Sequence, residues 1–206
     1  EEASRFIGKI ISYEQGPAAN AALLVSDADD GFGFEAATGR LRQELPPRVK
    51  ATEIYRGRMG DAAAKASLIE ALNAGQTVVS YFGHGTLSGW RGGVLTASDQ
   101  PSLNNKRSLS LFLMMTCLNG LFHNPTGDSL AEALIKSNGG AVAVWASSAL
   151  TGPREQAAMN REAMRQVFGA GATTIGEVTR SAKAVISDRN IRRTWILFGD
   201  PATRIR

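Results

Sequence analysis

Four apolar runs constrain the fold of this chain most: residues 21–26 (AALLVS), 78–82 (VVSYF), 109–116 (LSLFLMMT) and 141–146 (AVAVWA). They are close to continuously apolar and do not alternate with polar residues, as expected of strands covered on both faces in a parallel sheet. Each run opens into a polar or glycine-containing turn. Residues 49–55 (VKATEIY) add a further strand candidate. Between them the spacing predicts helices over 33–45, 61–74, 128–137, 153–168 and 173–187. The second of these carries Asp61 at its start and Gly75 past its end, the usual asymmetry of helix termini. Strand and helix in regular alternation predict an α/β domain: a mostly parallel sheet flanked by helices on both faces.

The chain has 206 residues, enough for one sizeable core. No run approaches the length of apolar sequence that spans a bilayer. The net charge is +4. Its basic residues are scattered, without the aromatic-interleaved stripe that stacks bases, so no nucleic-acid partner is expected. Residues 1–15 place Phe6, Ile7, Ile10 and Ile11 at helical spacing, and Gly16-Pro17 stops the pattern. The chain opens Glu-Glu without a methionine. The expected division is a linker helix over 1–17, following a missing upstream part, and one domain over 18–206.

In parallel sheets, reactive groups gather at the carboxyl ends of the strands. Asp27, His84, Cys117 and Ser147 each stand just past a different expected strand. Cys117 is the only cysteine, which excludes an internal disulfide. A free thiol has a pKa of ~8.5 and needs a base or positive charge beside it to react at neutral pH. His84, with glycine on both sides, is the candidate partner. Thr116-Cys117-Leu118-Asn119-Gly120 would expose the sulfur at the sheet edge and leave backbone amides free. The N–H groups of Gly85 and Cys117 are the candidate oxyanion hole. The bland alternatives are a turn histidine and a small buried cysteine.

Four carboxylates follow the first strand: Asp27, Asp29, Asp30 and Glu35. They could orient His84, line a pocket for a basic substrate side chain, bind calcium, or serve as turn formers and helix N-terminal charges. Asp27 and Glu35 are the candidates for the first two roles. A calcium loop lacks its spacing, because Thr38 stands where the bidentate glutamate should fall. No metal or cofactor is expected beyond that calcium alternative. A nucleotide-binding α/β domain is disfavoured, since no GxGxxG follows the first strand and no phosphate loop with a lysine is present.

Several segments, in order, resemble gingipain-type cysteine peptidases of clan CD. Tyr81-Phe82-Gly83-His84-Gly85 followed by Trp90 resembles their histidine loop. Thr116 to Gly120, with Ser129-Leu130-Ala131-Glu132-Ala133 after it, is similar to their nucleophile segment. Gly139-Gly140-Ala141-Val142-Ala143 and Trp195…Phe198-Gly199-Asp200-Pro201 complete the match, and Lys9-Ile10-Ile11-Ser12-Tyr13-Glu14 looks like their linker helix. The resemblance implies a caspase-like sheet, a Cys117–His84 dyad and hydrolysis of peptide bonds through a thioester. It implies protein or peptide substrates, some members cutting after arginine or lysine, and a preceding subdomain that packs on this one. It also implies a bacterial protein that is secreted or held in the cell envelope. The substrate-pocket wall would fall at Trp145 and Ser147, with a core role as the alternative for Trp145. The competing functional reading is an inactive caspase-like interaction or scaffold domain.

Overall fold

In the computed structural model, which describes residues 2–169 and 172–206, the apolar runs form the centre of a six-stranded sheet. Its strands are β1 (Ala21–Ser26), β2 (Lys50–Tyr55), β3 (Val78–Phe82), β4 (Ser110–Met115), β5 (Ala141–Ser147) and β6 (Trp195–Phe198), in the order β2-β1-β3-β4-β5-β6. β1 to β5 are mutually parallel, and β6 closes the edge antiparallel to β5. Every residue of β1, β3, β4 and β5 is buried, whereas the edge strand β2 is largely open to solvent. The unbroken apolar runs therefore mark the covered strands, as two-sided burial requires.

The helices are α1 (Glu2–Gln15), α2 (Phe34–Glu44), α3 (Arg56–Met59), α4 (Asp61–Asn73), α5 (Leu130–Lys136), α6 (Pro153–Phe168), α7 (Ile175–Ala184) and α8 (Arg189–Thr194). On one face of the sheet, Phe34 and Leu41 of α2, Met159 and Met164 of α6 and Val178 of α7 cover Leu24, Phe82, Met115 and Trp145. On the other, Leu68 and Leu72 of α4 and Leu130 and Leu134 of α5 join Trp90 and Leu95 over Val25, Tyr81 and Met114. Burying one such leucine or phenylalanine side chain contributes about 1.5–3 kcal/mol.

α1 is fastened to this body by a buried lysine, whose pKa burial lowers to about 7. Lys9, 5% exposed, directs its Nζ at the carbonyls of Leu134, Ile135, Ser137 and Gly139 at 2.8–3.0 Å. These lie in and just past the last turn of α5, where carbonyls lack helical partners and a cation is favoured. Ile7 and Ile11 face outward, 56% and 50% exposed.

The structure departs from the sequence expectations at element ends. β4 spans Ser110–Met115, one residue shorter at each end than the expected 109–116, and the Thr116 N–H turns back onto Met114 O at 2.8 Å. α5 starts at Leu130, where Ser129 and Glu132 form a reciprocal capping box. α7 starts at Ile175 for the same reason, with Thr174 and Glu177. The short helices α3 and α8 are too brief to show a 3.6-residue period. β6 has four residues and is a strand only because β5 pairs with it.

Candidate active site

The register of the sheet brings the two sequence-predicted reactive residues to one level. Phe82 pairs with Met115 across β3 and β4. His84 and Cys117 each follow two residues later, on neighbouring strand ends. The Gly83 N–H still bonds Met115 O at 3.2 Å, which extends the contact beyond the ladder.

The histidine loop is held by its backbone. The Asp27 carboxylate accepts the N–H of His84 at 3.1 Å, and Tyr81 Oη donates to the carbonyl of His84 at 2.7 Å. Arg91 N–H reaches the same carbonyl at 3.0 Å. Tyr81 is stacked flat on Trp90, with ring centroids 4.0 Å apart, and burial raises its phenol pKa well above the ordinary value. It therefore remains a neutral donor. Gly83 has to be glycine: a Cβ there would stand 2.3 Å from Asp27 Cβ. The imidazole itself is half exposed. Its Nε2 meets Asp30 Oδ1 at 3.0 Å, and its ring lies edge-on to Phe34 with centroids 5.3 Å apart. Hydrogen bonds from His84 and then Arg91 hold Asp30 below the usual carboxylate range.

The cysteine turn is strained. Leu118 adopts φ +61°, in the left-handed region that non-glycine residues seldom occupy. Such strain persists only where surrounding contacts enforce it, and it clusters at functional sites. Here Leu118 N–H bonds Ala149 O at 3.4 Å and Gly120 N–H bonds Ser147 O at 2.9 Å. Buried Asn119 crosses to the histidine loop, donating from Nδ2 to Thr86 O at 2.6 Å. Cys117 is half-buried. Its Sγ lies 3.5 Å from the N–H nitrogen of Thr151 and 3.6 Å from the carbonyl oxygen of the same residue. Among the described residues no hydrogen bond joins Sγ to the imidazole, and neither the Gly85 nor the Cys117 N–H has a protein acceptor.

The carboxylates after β1 are already engaged by this chain. Asp27, fully buried, pairs with Arg56 at 2.7 Å, and Arg56 also reaches Asp61 at 2.7 Å. Glu35 pairs with Arg58 at 2.7 Å, Asp30 with Arg91, and Asp29 accepts the Glu35 N–H at 2.9 Å. Three guanidiniums among four carboxylates make a poor donor set for calcium. Among the described residues no group of three or more histidine, cysteine or acidic side chains is placed to hold a metal. Trp145 lies wholly within the core, tilted against Trp195 with centroids 4.8 Å apart. Ser147 Oγ is likewise buried and reaches Ala149 O at 2.9 Å and Thr194 Oγ1 at 3.2 Å. It shapes the 147–151 segment, and its side chain presents nothing to a substrate. Arg56 and Arg91 carry no local signal in the sequence, and Asn119 is legible there only as part of the cysteine turn.

A parallel sheet with helices on both faces and a cysteine and a histidine on adjacent strand ends is the caspase-like α/β fold. The chain belongs to peptidase family C25, whose sequence model matches residues 1–206. It is 29% identical over 158 residues to gingipain R2 and to gingipain R1 of Porphyromonas gingivalis. Each match takes in 68% of this chain, and 21% and 16% of the respective relative. The fold superposes on the crystal structure of the Arg specific cysteine proteinase gingipain R with a TM-score of 0.82 and 21% identity, over 99% of this chain and 52% of that one. The complex of Porphyromonas gingivalis RgpB pro- and mature domains matches with a TM-score of 0.83 and 21% identity, over 98% and 53%. The chain thus spans about half the length of these solved structures, and about a fifth or less of the curated relatives.

Proposed function

We propose that this chain carries the catalytic machinery of a cysteine endopeptidase, with Cys117 as nucleophile and His84 as acid–base partner. The observation that carries the proposal is the meeting of the histidine loop and the cysteine turn at Gly85. A Cβ on Gly85 would stand 3.1 Å from Cys117 O, so two unpartnered amides, of Gly85 and Cys117, lie on abutting segments. In this reading Cys117 Sγ attacks the scissile carbonyl and forms a C–S bond while those amides hold the oxyanion. His84, holding the proton that the Cys117 thiol gives up, delivers it to the amine as the C–N bond breaks, and water then hydrolyses the thioester to free the acid and restore the thiol. Sγ and imidazole need no direct bond, since each addresses a different atom of the substrate and apo geometry is commonly loose.

A preference for arginine before the cleaved bond is supported by one solved relative, whose name describes it as Arg specific. It is not supported by Asp27 or Glu35, which are neutralised by Arg56 and Arg58; their role in this reading is to hold the histidine loop and the segment after β1. The exposed Ile7 and Ile11 of α1 would pack on a preceding subdomain. The test is a fluorogenic peptide panel varied at the residue before the scissile bond, run with the wild type and Cys117→Ala. Hydrolysis that requires Cys117 is expected. Equal hydrolysis by both proteins would overturn the assignment.

A further inference from the structure

Cys117 Sγ touches both backbone polar groups of a single residue, and those two groups favour opposite protonation states. The Thr151 carbonyl, 3.6 Å away, can accept from a thiol but repels a thiolate. The Thr151 N–H, 3.5 Å away, stabilises a thiolate. The balance is set by a third side chain. Gln156, 2% exposed in the first turns of α6, donates from Nε2 to Thr151 Oγ1 at 2.7 Å and to Thr151 O at 3.3 Å. That donation does two things. It draws charge from the carbonyl facing the sulfur, and it fixes Thr151 so that its N–H stays on Sγ.

We propose that Gln156 is a positioning residue for the nucleophile: it holds Thr151 against Cys117 and tips the sulfur toward the thiolate. The proposal deepens the peptidase reading and rests on Cys117 being the nucleophile for its consequence in turnover. The placement of Thr151 supports it. Thr151 directly precedes Gly152, the N-cap of the 16-residue helix α6, whose first-turn amides add a partial positive charge near the sulfur. Gln156 acts from inside the helix, buried, with no substrate contact required. Its own N–H is taken by Gly152 O at 3.3 Å, so its side chain is the group free to act on Thr151.

Because Cys117 is the only cysteine, alkylation by iodoacetamide, followed by intact mass, reports on this sulfur alone and requires no turnover. The informative variant is Gln156→Met, which keeps the volume and removes the donor. The titratable and charged groups on the segments around Cys117 include His84 with Asp30 and Arg91, His123, Arg154 and Glu155. All are retained in Gln156→Met. The pH midpoint of the alkylation rate is expected to rise by about half a unit to one unit, slowing reaction on the acid side of the midpoint by roughly 3- to 10-fold. The pH profile of kcat/KM should move in the same direction. Should methionine disturb the start of α6, Gln156→Leu, which also lacks a donor and adds no titrating group, is expected to raise the midpoint in the same way. Coincident alkylation profiles for wild type and a folded variant would overturn the proposal. A Gln156-dependent profile in a protein that cleaves no peptide would sustain this contact and overturn the peptidase reading instead.

Discussion

A side chain on Gly85 would have nowhere to go beside Cys117: its Cβ would stand 2.5 Å from Thr116 Oγ1, 3.1 Å from Asn119 Nδ2 and 3.1 Å from Cys117 O. Three atoms of the cysteine turn thus fix the height of the histidine loop. Gly85→Ala should push the two loops apart and lower kcat by ~10²-fold or more, since it displaces a candidate oxyanion donor. Thermal unfolding should fall only modestly, by about 1–3 kcal/mol of overpacking. A variant with wild-type kcat would show that the Gly85 amide takes no part.

The dyad variants should separate activity from stability. Cys117→Ala and His84→Ala are each expected to abolish peptide hydrolysis. Neither residue belongs to the buried core, and the His84 ring is half exposed. Urea unfolding midpoints near that of the wild type would accompany the loss, and retained turnover in either variant would refute the pairing.

Asp27→Asn tests whether that carboxylate reads substrate or holds structure. Asp27 is fully buried, pairs with Arg56 at 2.7 Å and accepts the His84 N–H. Removing one partner of a buried pair typically costs about 3 kcal/mol or more. The expected outcome is a large loss of stability and of kcat, with the ranking of peptides in the panel unchanged. Glu35→Gln, which loses only the pair with exposed Arg58, should leave both ranking and stability close to wild type. A selective loss of arginine peptides in either variant would instead assign that carboxylate to the substrate pocket.

Glu177 sets an acid limit on the C-terminal helices. Backbone N–H donation from Thr173, joined by its hydroxyl and by Thr174, draws the Glu177 pKa down to about 2. A depressed carboxylate binds its proton less readily in the folded state, so its contribution is present above the unfolded pKa of ~4.3 and lost as pH falls toward 2. Glu177→Gln should lower the unfolding midpoint at pH 7. The difference from wild type should close between about pH 4 and pH 2. A difference independent of pH would mean that the amide replaces the carboxylate fully.

The positions of the covered strands were legible because two-sided burial demands unbroken apolar runs, and AALLVS, VVSYF and AVAVWA supply them. His84 and Cys117 were legible because each follows such a run at a glycine-bearing turn. Ser147 and Trp145 also follow or end a run, yet they face inward. The pattern shows where a strand stops but not which way its last side chains point. The carboxylates after β1 looked free for substrate or calcium in sequence. Arg56, Arg58 and Arg91, 23 to 61 residues further along the chain from their partners, neutralise Asp27, Glu35 and Asp30.

The α/β class, the strand ends on which the candidate residues stand and the family were all readable in the chain, since they depend on local periodicity and on short ordered motifs. The partners of each group came from the folded arrangement alone. Parallel strands bring together residues far apart in sequence. For that reason Lys9 meets the end of α5, Asp27 meets Arg56 and His84, and Gln156 reaches Thr151 beside Cys117. Hydrogen bonds and ion pairs act within a few ångströms, and that proximity is set by how the sheet folds the chain back on itself.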